Sequence, residues 1–310
     1  MHLFDLHSDT PYRLYYESRS LRDPGLQVSA DALDAFEFLG QVFALFCRPE
    51  LSDDEAYTAF FAMRKRLTEE LRPYLGERFR PILAVEDARL LGKSSDRLAA
   101  LAEAGVQILT LLWKGETVIG GAYDTEVGLS AVGKRALSDA FSLAIHPDAS
   151  HASYRAFFDI AESAARHSRP FLATHSDSYS VCPHPRNLRD EQFLAIRDSG
   201  GLVGLCLCPA HLTERGEATV YDVLRHLEHF LSLGGEDTVA IGTDFDGIDN
   251  TPRGLRRSRD LHSLSDALVR HGYPSVLIQK LFCNNAEAFF GKYKNNRMYY
   301  ELQKHQKHRT

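Results

Sequence analysis

Apolar, β-leaning runs recur eight times along the chain, at residues 3–9, 40–47, 79–87, 106–113, 141–151, 170–176, 200–208 and 238–246. Most are followed by a charged stretch with apolar residues three and four apart, the spacing of an amphipathic helix. These stretches include 53–72, 94–104, 152–167, 188–199 and 219–233. Such alternation predicts an α/β fold with a parallel sheet covered by helices. Eight units in 310 residues predict closure into a single-domain (β/α)8 TIM-type barrel. No glycine-rich phosphate fingerprint follows the first run, which argues against a dinucleotide-binding sheet. No low-complexity linker divides the chain, so residues 1–290 read as one barrel and 291–310 as a basic C-terminal extension.

Composition changes this picture little: 44% hydrophobic and 25% charged residues are ordinary for a soluble globular protein. The formal net charge is -6, yet residues 291–310 hold six Lys/Arg against one acid, Glu301. The rest of the chain is therefore more acidic still, which is wrong for a phosphate-backbone binder, and no nucleic-acid partner is expected. Cys47, Cys182, Cys206, Cys208 and Cys283 are odd in number and lack CxxC spacing, as in a reduced compartment. No cationic leader precedes an apolar stretch, and the longest uncharged apolar run, 199–213, is too short to span a bilayer. A cytoplasmic protein without a membrane partner is expected.

Barrels carry their chemistry at the C-terminal ends of strands, and the residues there are unusually polar. The first run ends in His7 and Asp9, which share a face at a spacing of two. The third ends in Glu86, the fifth in His151, the sixth in His175, and the eighth in Asp244 and Asp246. Three imidazoles and several carboxylates on one rim form the ligand set of zinc or a similar divalent ion. A second His-x-Asp pair, His146 and Asp148, has its histidine inside the fifth run rather than at its tip. His2, His146, His184, His211, His226, His229 and His262 lack the rim placement and are expected to be ordinary surface or loop residues.

The segments DLHSDTP (5–11), VED (85–87), GLSAVGK (128–134), DASH (148–151), THS (174–176), HPRNLRDEQ (184–192), IGTDFDG (241–247) and NNAEAFF (284–290) carry a resemblance. In order and spacing the chain resembles the membrane (renal) dipeptidases, zinc-dependent barrel enzymes of the amidohydrolase superfamily, over most of residues 3–290. The resemblance implies a binuclear zinc site, with His7 and Asp9 on one ion, His151 and His175 on the other, and Glu86 bridging. It implies that Arg186 binds the free C-terminal carboxylate of a small dipeptide, including dipeptides with a D-residue on that side. Asp244 is implied as the proton shuttle while a metal-bridging hydroxide attacks the peptide bond; Asp246, on the same face, is the other candidate. Another divalent metal would suit the same ligands. Family members are often homodimers, and no sequence feature fixes the state of this chain.

The chain departs from the family at Trp113, and again at Lys114 and Glu116, where smaller polar residues are usual in it. The fourth run reads Leu109-Thr110-Leu111-Leu112-Trp113, with tryptophan where the family has a histidine that holds the substrate carbonyl. An indole donates but cannot accept or become cationic, and Trp113 presents a large apolar face to the substrate. Two other readings therefore stay open: hydrolysis of another small amide, such as an N-acyl amino acid or lactam, and a catalytically weak metal-binding protein.

Overall fold

The computed structural model describes residues 1–94 and 96–292. Seven parallel strands form one sheet: β1 (His2–Asp5), β2 (Phe38–Phe46), β3 (Phe79–Glu86), β4 (Val106–Thr110), β5 (His146–Asp148), β6 (Val203–Leu205) and β7 (Val239–Ile241). Their order is β5-β4-β3-β2-β1-β7-β6. Between the two edge strands runs the segment 171–176. Its Leu172 amide donates to Pro147 O at 2.9 Å on the β5 side, and its Ala173 amide to Leu202 O at 2.9 Å on the β6 side. Both edges thus reach the same segment, so the sheet curls until its edges face each other.

The strand expected at 170–176 is present as single parallel bridges, Asp148 to Leu172 and Ala173 to Val203, rather than as a continuous ladder. Backbones crowd here. A Cβ on Gly204 would lie 2.0 Å from Thr174 O, so only glycine lets β6 approach.

Each strand buries both faces, which is why the strands read as unbroken apolar runs. Phe4, Val42, Ala44, Ile82, Ala84 and Ile108 pack inside the curl. Their neighbours Leu3, Phe43, Leu45, Leu83, Val85 and Leu109 face the helical layer. Helices Asp53–Leu71, Asp96–Glu103, Tyr154–His167, Asp190–Ser199 and Val220–Ser232 match the expected amphipathic stretches. The first starts with a capping box, Ser52 Oγ accepting from Glu55 N and Glu55 Oε2 accepting from Ser52 N.

The strand expected at 141–151 is shortened to His146–Asp148, and Ala131–Ser142 is a helix. Ser130 Oγ caps it by accepting from Gly133 N at 3.1 Å, and Ala136, Leu137, Ala140 and Phe141 bury one stripe. The apolar run that looked continuous is split by a turn at Ala144, whose φ is +57°.

A final helix, Asn285–Lys292, covers the N-terminal end of the strands. Phe290 stacks on Phe4 at 5.3 Å, Phe289 lies 4.8 Å from the His146 ring, and Arg80 Nη2 donates to Phe290 O at 3.0 Å. Residues 293–310, the rest of the basic extension, lie outside the described residues. Among the described residues no helix is long and apolar enough to cross a membrane.

Candidate metal centre and substrate cavity

The polar residues expected at the strand ends converge at the opposite end of the curl. β1 stops at Asp5, and the chain runs on past His7 and Asp9, held by Asp9 N donating to Phe245 O at 2.8 Å. Asp5 ties this segment to the one after β7, accepting from His7 N, Thr243 N and Thr243 Oγ1. Glu86 is the last residue of β3. Its Oε2 lies 3.5 Å from His7 Nε2, while its Oε1 lies 3.2 Å from His151 Nε2 and 3.7 Å from His175 Nε2. The two carboxylate oxygens thus face two different sets of imidazoles, and His7 Nε2 also lies 3.5 Å from Asp9 Oδ2.

The tautomers of these imidazoles follow from their outer hydrogen bonds. Asp148, an acceptor when ionised, receives Thr174 N, Thr174 Oγ1, Thr110 Oγ1 and Ser150 N. The single Thr174 hydroxyl proton is committed to Asp148 at 2.6 Å, so Thr174 Oγ1 accepts from both His7 Nδ1 (3.1 Å) and His175 Nδ1 (2.9 Å). His151 Nδ1 donates to Trp113 O at 2.9 Å. All three rings therefore turn Nε2 lone pairs inward. His151 Nε2 and His175 Nε2 stand 2.9 Å apart; with both tautomers set, that is two lone pairs facing each other, which a cation relieves. His7 Nε2 and Asp9 Oδ1 are buried with no hydrogen-bond partner. The donor set fits a divalent ion on chemistry and on orphaned atoms alike.

Electrostatics point the same way. Burial pushes His175 well below the usual histidine range, and His151 down to about 4 with help from Arg186, so both stay neutral as ligands must. Burial opposes charge on His7, yet the Glu86 and Asp9 carboxylates outweigh it and favour positive charge at that point. Asp9 is raised well above the carboxylate range by burial and by Glu86. Asp244 is pushed up to about 6 by burial, with His7 opposing and Glu86 adding to the rise.

Asp244 and Asp246 part company. Asp246 accepts from Thr10 Oγ1 at 2.7 Å, Gln27 N at 2.8 Å and Val28 N at 3.2 Å, so its carboxylate is committed to pinning the 26–28 loop. Asp244 Oδ1 lies 4.0 Å from His7 Nε2, and its side chain is 15% exposed to the cavity. Asp244 has φ +62° and His151 +66°, left-handed conformations that L-residues adopt uncommonly. Gly247 gives the rim room, since a Cβ there would meet Asp9 Oδ2 at 2.2 Å.

A cavity of about 390 Å³ opens over this cluster, within the range of small-molecule sites. Its walls include Tyr12, Arg13, Phe46 and Trp113, with the Phe46 and Trp113 rings 4.7 Å apart. Trp113 sits beside the cluster as expected, with its carbonyl, not its side chain, holding His151. Arg186 lines a neighbouring cavity of about 180 Å³ that shares His151. It is buried, with Nη2 donating to His175 O at 3.2 Å and the guanidinium 5.8 Å from the Tyr123 ring centroid. Tyr12, Arg13 and Phe46 were missed by sequence reasoning. Tyr12 and Arg13 follow Asp9 directly on the helix Thr10–Tyr16, so proximity to the ligand pair was the available signal.

Two histidines expected on the surface or in loops are structural. His226 is fully buried, accepting from Ser178 N at 2.9 Å and donating from Nε2 to Leu212 O at 3.0 Å. His146 is buried against Phe289. In each case helix packing, invisible in local spacing, covers the ring.

Residues 68–299 match the family model described as membrane dipeptidase, peptidase family M19. The chain belongs to that family. The matched region contains Glu86, Trp113, His151, His175, Arg186 and Asp244, while His7 and Asp9 precede it. Among relatives, a Klebsiella pneumoniae protein described as an uncharacterized protein in the pqqA 5'region is 36% identical over 200 residues, 61% of this chain and 72% of its own length. The Aspergillus oryzae dipeptidase aclJ is 27% identical over 207 residues, 63% of this chain, and the match spans only 47% of that protein. Among solved structures, a metallopeptidase described as dipeptidase AC of family M19 superimposes with TM-score 0.86 at 28% identity, covering 96% of this chain and 98% of that one. A Rhodobacter sphaeroides metallopeptidase bound to a phosphinate mimic of the dipeptide L-Ala-D-Ala gives TM-score 0.81 at 26% identity, covering 96% and 99%. This M19 chain therefore shares its fold with metallopeptidases along nearly its whole length.

Proposed function

We propose that this M19 chain is a binuclear zinc dipeptidase on a (β/α)8 barrel, with the 171–176 segment as the eighth stave. The observation that carries the reading is the set of inward Nε2 lone pairs, two of them 2.9 Å apart, around a Glu86 whose oxygens face separate imidazole sets. His7 and Asp9 would hold one ion, His151 and His175 the other, and Glu86 both. When bound, such ions polarise an amide carbonyl and lower the pKa of water to about 7.

The chain's own residues supply the rest. Arg186 offers a planar fork that pairs bidentately with a carboxylate, suited to a free dipeptide C-terminus. Asp244, part-exposed to the cavity and free of the loop bonds that occupy Asp246, accepts the proton of the attacking water. It then delivers that proton to the amine, which must leave protonated. The phosphinate mimic of L-Ala-D-Ala bound by the Rhodobacter relative supports dipeptides with a D-residue on the carboxyl side as substrates.

The aromatic wall of Tyr12, Phe46 and Trp113 favours a second reading, hydrolysis of another small amide with an apolar acyl group. Elemental analysis combined with a dipeptide and N-acyl amino acid panel decides between them. The expected result is at least two equivalents of metal and zinc-restored dipeptide hydrolysis after chelation. Trp113→His is expected to raise dipeptide turnover, by up to about 10²-fold if the imidazole restores a carbonyl donor. No turnover of any dipeptide by fully metallated protein overturns the first reading.

A further inference from the structure

Among the described residues, one other group of ligand-type side chains comes together outside the rim cluster, from three separate segments. Asp177 follows the 171–176 stave, Cys206 follows β6, and His211 sits on the short helix Pro209–Leu212. Each offers a donor atom, and those atoms lie within 4.8 Å of one another. Asp177 and Cys206 are fully buried. Asp177 Oδ1 accepts from Cys206 N at 3.2 Å, but Asp177 Oδ2 has no hydrogen-bond partner. A buried carboxylate oxygen left bare loses its hydration with nothing in return, and calls for a ligand. Cys206 Sγ lies 3.7 Å from His211 Nδ1. Zinc bonds of about 2.3 Å to sulfur and 2.0–2.1 Å to nitrogen, at a tetrahedral angle, place those atoms about 3.6 Å apart.

We propose that Asp177, Cys206 and His211 form a further cation site, separate from the rim centre, for a borderline-soft divalent ion such as zinc or cobalt. Thiolate, imidazole and carboxylate together select that class over magnesium or calcium, which prefer all-oxygen shells. The ion binds as Cys206 gives up its thiol proton to solvent, His211 coordinates as neutral imidazole and Asp177 as carboxylate; no electron is transferred. Asp244 Oδ2 lies 3.8 Å from Cys206 Sγ, so two carboxylates and a thiolate surround the added positive charge, against the one Arg186 cation that faces Asp177. The site adjoins the residue assigned to proton transfer without using any rim ligand.

Titration of the purified full-length chain with cobalt(II) after chelation tests this directly. His7, Asp9, Glu86, His151 and His175 include no sulfur, so a thiolate-to-cobalt charge-transfer band in the near ultraviolet reports this site alone. The expected result is such a band, abolished in Cys206→Ser and kept in Cys208→Ser. His211→Gln, a change at a partly exposed position that spares the buried core, weakens the cobalt affinity behind the band by at least about tenfold. A titration without the band, or a band that survives Cys206→Ser, overturns the proposal. Cobalt equivalents bound without the band count the rim centre. Their loss with the band retained would sink the rim reading and leave this one standing.

Discussion

The two ends of the curled sheet face opposite problems with the same backbone. At the N-terminal end Phe4, Phe289 and Phe290 fill the interior, and every inward position is apolar or covered by the last helix. At the C-terminal end three imidazoles and the carboxylates of Asp9, Glu86 and Asp244 crowd together, Asp87, His151, Asp244 and Asp246 hold positive φ, and buried atoms lack partners. The first arrangement favours the fold; the second costs it and makes sense only if a ligand recovers the cost. Functional sites commonly store strain of this kind while the surrounding structure over-determines it. Damage to the two ends should therefore have different signatures.

Glu86→Gln attacks the rim hardest. It leaves shape intact but removes the charge that faces both imidazole sets, so bound metal is lost along with several kcal/mol of barrier lowering. That corresponds to a drop in kcat/KM of roughly 10³-fold or more. The far-ultraviolet circular dichroism spectrum should stay that of the wild type; unfolding instead would erase the contrast between the ends. Phe290→Ala attacks the sealed end. Truncating a buried phenylalanine costs about 3–5 kcal/mol, read as a lower denaturant midpoint, while kcat of the surviving folded fraction stays close to wild type. An equal fall in metal content would show that the ends are not separable. Smaller still is Arg186→Met, which removes a charged hydrogen-bonding partner worth about 1.5–3 kcal/mol. KM for a dipeptide should rise by roughly 10- to 100-fold with kcat less affected, and a C-terminally amidated dipeptide should show no such difference.

The rim was more legible in the sequence than what supports it. His7, Asp9, Glu86, His151, His175 and Asp244 carry ligand-type side chains at the ends of apolar runs, and that conjunction is visible without coordinates. Thr174 and Asp148, which set the histidine tautomers, look like any polar residues, and Asp148 even belonged to the His-x-Asp pair that seemed a decoy. Asp244 ranks above Asp246 by motif position alone, because Asp246's partners, Thr10, Gln27 and Val28, come from segments more than 200 residues away. The strand at 141–151 failed because one apolar run serves the end of a helix and the start of a strand, and only the Ala144 turn divides them. Asp177, Cys206 and His211 share no spacing at all, so nothing short of the fold brings them together.

Among the titratable groups described at the sealed end, His146 gives the smallest and most specific test. His146 is held down to about 3, by burial first and by the nearby Arg169 cation second. In the unfolded chain the same imidazole titrates near 6.5. Below that pH the unfolded state binds a proton that the folded state refuses, so unfolding becomes easier as pH falls. Stability from this group is complete above about pH 6.5 and declines toward pH 3, with a slope approaching about 1.4 kcal/mol per pH unit. Urea midpoints of chelator-treated protein, measured at pH 7 and pH 5, should fall less in His146→Leu than in wild type. Chelation removes the pH dependence of metal binding, and the rim groups, present in both proteins, cancel in the comparison. An unchanged difference between the two pH values would mean that the acid sensitivity belongs to the rim after all, and the sealed end would then be as inert as its phenylalanines suggest.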